Sequence, residues 1–63
     1  MINKVNTEDL RFMAQPTTAD PKATQVDAWI GDLYLGSRIY ANTGIKKAVK
    51  IATTYIRING SLH

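Results

Sequence analysis

Asp27-Ala28-Trp29-Ile30-Gly31-Asp32-Leu33-Tyr34-Leu35 decides how the middle of this chain is read. With its flanks it places Val26, Trp29, Ile30, Leu33, Ser37, Tyr40 and Ala41 at steps of three and four, one face of a helix. Tyr34, Leu35 and Ile39 add a second apolar stripe. The spacing therefore predicts a central helix over 20–42, apolar on more than half its circumference, as at an oligomer interface. Gly31 and Gly36 would each cost such a helix about 1 kcal/mol of propensity. That cost points to close approach of another backbone at those two positions.

Working outward, Asp20-Pro21 reads as an N-cap followed by proline at the first helical position. Asn42 and Gly44 tolerate the left-handed conformation that ends helices. Beyond them Ile45, Ala48, Val49, Ala52, Tyr55 and Ile56 define the inner face of a basic amphipathic helix over 45–59, with Ile51 and Ile58 widening its stripe. Lys46, Lys50, Thr53 and Arg57 line the opposite side. Upstream, residues 1–19 read as a loose arm followed by a short helix capped by Thr7, with Glu8 and Asp9 in its first turn and Pro16 as its stop. The expected fold is all-α: a helical hairpin of two amphipathic helices with a short N-terminal helix, forming one domain over 1–63. Val26, Trp29, Ile30, Leu33, Tyr40, Val49, Ala52, Tyr55 and Ile56 are its expected core.

The chain has 63 residues, 44% apolar and 21% charged, with no cysteine and one histidine, His63. Those values describe a folded chain without a disulfide or zinc framework. A domain of this size buries only about 60% of its unfolded surface. Self-association or docking on a larger protein is the expected supplement. No apolar run reaches the roughly 18–20 residues of a membrane helix, and the first residues lack the apolar core of a signal peptide. The expected location is cytoplasmic, with no membrane partner.

The net charge of +3 is unevenly spread. Residues 1–21 carry Lys4 and Arg11 against Glu8, Asp9 and Asp20, a sum of −1. Residues 22–63 carry Lys22, Arg38, Lys46, Lys47, Lys50 and Arg57 against Asp27 and Asp32, a sum of +4. No acid follows Asp32. Such a gradient favours an anionic partner, and Lys46, Lys47, Lys50 and Arg57 are the candidate phosphate contacts. A solvated helix face is the plain alternative. Trp29, Tyr34, Tyr40 and Tyr55 could stack bases, but at helical spacing among aliphatics they read first as core or interface. Asp27 and Asp32, five residues apart, would sit about 140° from each other around a helix and could not share one Mg²⁺. No Gly-rich phosphate loop, Ser/His/Asp set or cysteine nucleophile is present.

The run from Lys22 through Asp27-Ala28-Trp29-Ile30-Gly31-Asp32-Leu33-Tyr34-Leu35 resembles a signature helix of the ribonuclease III family, with Gly44-Ile45-Lys46-Lys47-Ala48-Val49 resembling the helix that follows it. In one register Asp27 stands at the family's metal-binding glutamate, while the family's aspartate three residues earlier falls on Thr24. In the other, Gly31-Asp32 matches the signature in which Gly-Asp supplies a metal ligand, with Leu33 replacing the usual small residue. The resemblance implies dimers, double-stranded RNA as partner and, if catalytic, Mg²⁺ held by Asp27 or Asp32. Only one acidic helix is represented, so it implies binding rather than cleavage.

The sequence therefore leads to a small non-catalytic nucleic-acid-associated accessory protein, with no cofactor and no metal of its own. Two alternatives stand beside it: a protein-interaction or inhibitor module docking through apolar helix stripes, and a Mg²⁺-dependent endoribonuclease fragment completed by dimerisation.

Overall fold

Residues 24–30 alternate rather than wind. Thr24, Val26 and Ala28 point to one side and are buried, while Gln25, Asp27 and Trp29 point to the other and keep partial exposure. This period of two is the mark of a half-covered strand. The computed structural model describes residues 9–63, with β1 (Leu10–Pro16), β2 (Thr24–Ile30), β3 (Leu33–Tyr40) and α1 (Ile45–Asn59). The strands form one antiparallel sheet in the order β1-β2-β3, and α1 lies across one face of it.

The all-α expectation is thus overturned. The segment read as a central helix over 20–42 is a loop and a β-hairpin, and the residues read as a short N-terminal helix, Leu10, Phe12 and Met13, lie in β1. The arm over 1–6, Thr7 and Glu8 fall outside the described residues. The segment that resembles a ribonuclease III helix forms strand, turn and strand. α1 does occupy 45–59, ending at Gly60, whose φ of 84° and N–H bond to the Ile56 carbonyl form a left-handed cap.

Local chemistry explains each misread element. Gly31-Asp32 joins Ile30 to Leu33 as a two-residue hairpin loop, and Gly31 has φ +56°, a conformation that hairpin turns ask of glycine at their first position. Asp20 does bond like a cap, its Oδ1 accepting the Lys22 N–H at 3.0 Å. Its carbonyl also accepts the Ala23 N–H at 2.9 Å, and Thr17 N–H reaches back to the Ala23 carbonyl at 2.9 Å. The same aspartate that caps helices therefore closes the β1–β2 loop.

A bulge breaks the alternation in β3. Ala28 pairs with Gly36 and Trp29 with Tyr34, leaving Leu35 as the extra residue. Leu35 turns into the core, 5% exposed. Gly36 takes φ +106°, and a Cβ there would meet the His63 ring at 2.9 Å. Nothing lies within 4 Å of the corresponding position at Gly31. The backbone approach expected at the two glycines of a helix is thus not found: Gly36 meets the His63 side chain, and Gly31 meets nothing within 4 Å among the described residues.

The core joins Val26, Ala28 and Leu35 of the sheet to Ala48, Ala52 and Ile56 of α1 and to Leu62 beyond it. Three alanines at the helix–sheet contact let the two layers approach closely. Leu62 is 1% exposed, and its N–H donates to the Leu35 carbonyl at 2.7 Å, so the segment after α1 folds back over β3. Of the expected core, Val26, Ala52 and Ile56 are buried, and Ile30, Tyr40 and Tyr55 pack beside them. Leu33 is 64% exposed at the hairpin turn, and Trp29 sits on the uncovered face.

Tyr40 carries an anomaly. Its hydroxyl is buried with no hydrogen-bond partner among the described residues, and burial pushes its pKa above the usual 10, while the Arg38 charge opposes the shift. Tyr40→Phe removes an unsatisfied polar atom, so stability at neutral pH is expected to hold or rise, by up to about 1–3 kcal/mol. With a raised folded-state pKa, the tyrosine's contribution is complete below pH 10 and is lost as pH rises through the folded value. Urea melts at pH 7 and above pH 10 should show the phenylalanine variant losing less on the alkaline side. A clear loss at pH 7 would mean the hydroxyl is bonded after all.

Candidate nucleic-acid interface

α1 sorts its residues by side. Ala48, Ala52 and Ile56 face the sheet, and Lys46, Lys47, Lys50 and Arg57 all stand exposed on the outer side. The helix contains no acidic residue. Lys46, Lys47, Lys50, Ile51 and Thr54 line one open depression along it. Ile58, 76% exposed, and Ile51, 38% exposed, add apolar surface beside the cations.

The first turn is unusual in its charge. Lys46 and Lys47 occupy it, no acid does, and Gly44 at the N-cap supplies no side-chain bond. The helix dipole disfavours cations at this end, in general by about 0.3–1 kcal/mol each. The free N–H groups and the two lysines together make an electropositive corner suited to an anion. Arg38 lies beside the core rather than in this cluster, its guanidinium 4.5 Å above the Tyr55 ring, a cation–π arrangement that holds both residues at the sheet edge.

Asp27 and Asp32 are placed apart. Asp27 is in mid-β2, where one carboxylate oxygen accepts the Tyr34 hydroxyl at 2.8 Å and the other accepts the Gln25 amide at 3.3 Å. The carboxylate bond holds the Tyr34 phenol above its usual pKa. Asp32 sits in the hairpin turn. Among the described residues no three His, Cys, Asp or Glu side chains come together, and Asp27 and Asp32 lie on different elements.

The sheet face opposite α1 was missed from the sequence. It presents Arg11 and Met13 from β1, Gln25, Asp27 and Trp29 from β2, and Tyr34, Ser37 and Ile39 from β3, as the strand registers place them. The alternation Gln25/Asp27/Trp29 and the Gly31-Asp32 turn are the signals that could have found it. Of the candidate stacking aromatics, only Trp29 and Tyr34 share this face, with ring centroids 5.4 Å apart. Tyr40 and Tyr55 pack at the core.

Among the described residues no helix is long and apolar enough to cross a membrane. No family model, curated protein or solved structure matches the chain.

Proposed function

We propose that this chain is a small accessory protein acting inside the cell, which holds a nucleic-acid phosphate backbone on the outer face of α1. The observation that carries the reading is the first turn of that helix. Lys46 and Lys47 stand where the dipole opposes them, with Lys50 and Arg57 extending the same face. Placing cations at the unfavoured end is a local cost to the free protein that a bound anion removes. Cations on a helix face position a backbone without reading bases, so the expected binding is tolerant of sequence. Asp27 and Asp32 supply no chemistry in this reading.

Lys46→Glu with Lys47→Glu is expected to act in opposite directions on stability and on binding. Exchanging cations for acids in the first turn should raise the melting temperature by a few degrees. The same change should weaken binding to duplex RNA or DNA by on the order of tenfold or more and flatten the salt dependence, by about 0.9 per lost phosphate contact on duplex DNA. An unchanged salt slope would exclude this face. Loss of intact RNA probe in Mg²⁺, abolished by Asp27→Asn, would replace the binding reading with an endoribonuclease completed by a second copy.

A further inference from the structure

We propose that the open face of the sheet is the contact between two copies of this chain. This goes beyond the helix-face reading and stands on different residues. Met13 is 55% exposed, Tyr34 47% and Ile39 63%, and Trp29 lies among them on the same face. Trp29 and Tyr34 brace each other at 5.4 Å between centroids, the kind of rigid aromatic pair that anchors interfaces.

The charged groups of this face, Arg11 and Asp27, already have partners within the chain, while Gln15 and Ser37 on the same face are exposed. Arg11 donates through Nη2 to the Gly31 carbonyl at 2.7 Å. The Tyr34 hydroxyl and the Gln25 amide both donate to Asp27. A surface whose charged groups are bonded internally can be covered without leaving a desolvated charge unpaired, the costliest part of burying polar surface; Gln15 and Ser37 would bond to the partner copy or to water.

Charge identifies the occupant. The face carries Arg11 and Asp27, one cation and one anion, so it is neutral and complementary to itself. A two-fold dimer needs such self-complementarity, because the same patch meets its own copy. The outer face of α1 fails that requirement, since pairing it would set four cations against four. A nucleic-acid strand would find on the sheet face a carboxylate in mid-strand and one guanidinium already engaged.

Three strands about 4.8 Å apart and about 23 Å long give a footprint of roughly 330 Å² per copy, smaller than a standard stable interface. The dimer is therefore a weak, reversible one, with dissociation in the range from about micromolar to about millimolar. Stacking through the sheet leaves both basic helices outward.

Sedimentation velocity on the full chain from about 1 µM to about 1 mM spans that range. The mass should rise from monomer to twice that value, with the emission of the single tryptophan, Trp29, moving to the blue as the dimer forms. Ile39→Lys changes a side chain that is 63% exposed, so it should keep the circular-dichroism spectrum and the melt while weakening the dimer at least about tenfold. Arg11→Glu makes the face doubly negative and Asp27→Lys makes it doubly positive. Each variant alone should stay monomeric at concentrations where the parent pairs, and an equimolar mixture of the two should recover the dimer. A parent chain that is monomeric throughout, or a dimer untouched by Ile39→Lys, overturns the proposal. Failure of the mixture to pair while Ile39→Lys does weaken the dimer would overturn the charge assignment.

Discussion

Ile56→Ala is expected to lower the unfolding free energy by about 3 kcal/mol, within the 2–5 kcal/mol span of such core truncations. Ile56 is fully buried, on the inner face of α1 against Val26, Ala28 and Leu35. The other fully buried residues of α1 are Ala48 and Ala52, so Ile56 is the one large side chain that the helix buries completely. In a domain of this size a loss of about 3 kcal/mol is a large share of total stability. Urea melts followed by circular dichroism measure it as a fall in midpoint at constant slope. A loss under about 1 kcal/mol would mean that α1 is not seated on the sheet.

Gly36→Ala comes second, with an expected cost of about 1–3 kcal/mol from backbone strain. Its φ of +106° lies outside the region that L side chains adopt. The added Cβ would also meet His63 Cε1 at 2.9 Å, but a terminal imidazole can swing aside. The two causes are separable: His63→Ala relieves the contact and leaves the dihedral. The double variant is therefore expected to be nearly as unstable as Gly36→Ala alone. Full rescue would assign the cost to the ring and remove the bulge geometry from the account.

α1 was legible in the sequence because its two sides differ over fifteen residues and Gly60 marks its end. Its inner face was drawn too wide: Ile45 is 47% exposed, and only Ala48, Ala52 and Ile56 are buried within the helix. The sheet was not legible, for three physical reasons. Apolar residues on both faces of β2, Val26 and Ala28 on one and Trp29 on the other, satisfy a helical spacing as well as a strand. The bulge sets Leu33, Tyr34 and Leu35 in an unbroken apolar run that hides the alternation of β3. Asp20-Pro21 uses the same side-chain bond to close a loop that it would use to cap a helix.

Two features nonetheless spoke for strands. An apolar girdle covering more than half a helix is equally the mark of a hairpin with both faces occupied. Gly31-Asp32 between two such runs is a hairpin loop with a stated mechanism. The cations proposed as the binding face lie on the one helix correctly read, and all four are exposed on its outer side. Asp27 and Asp32, expected on one helix, lie instead in a strand and in a hairpin turn.

The most direct test of the binding face is a ¹⁵N-resolved NMR titration of the full chain with duplex RNA and with duplex DNA at low salt. Backbone amides of Lys46, Lys47, Lys50 and Arg57 should shift progressively with either duplex and return as salt is added, while those of Gln25, Ser37 and Ile39 stay in place. Shifts confined to the sheet face and the Trp29 indole, or no shifts with either duplex, would contradict phosphate binding by α1.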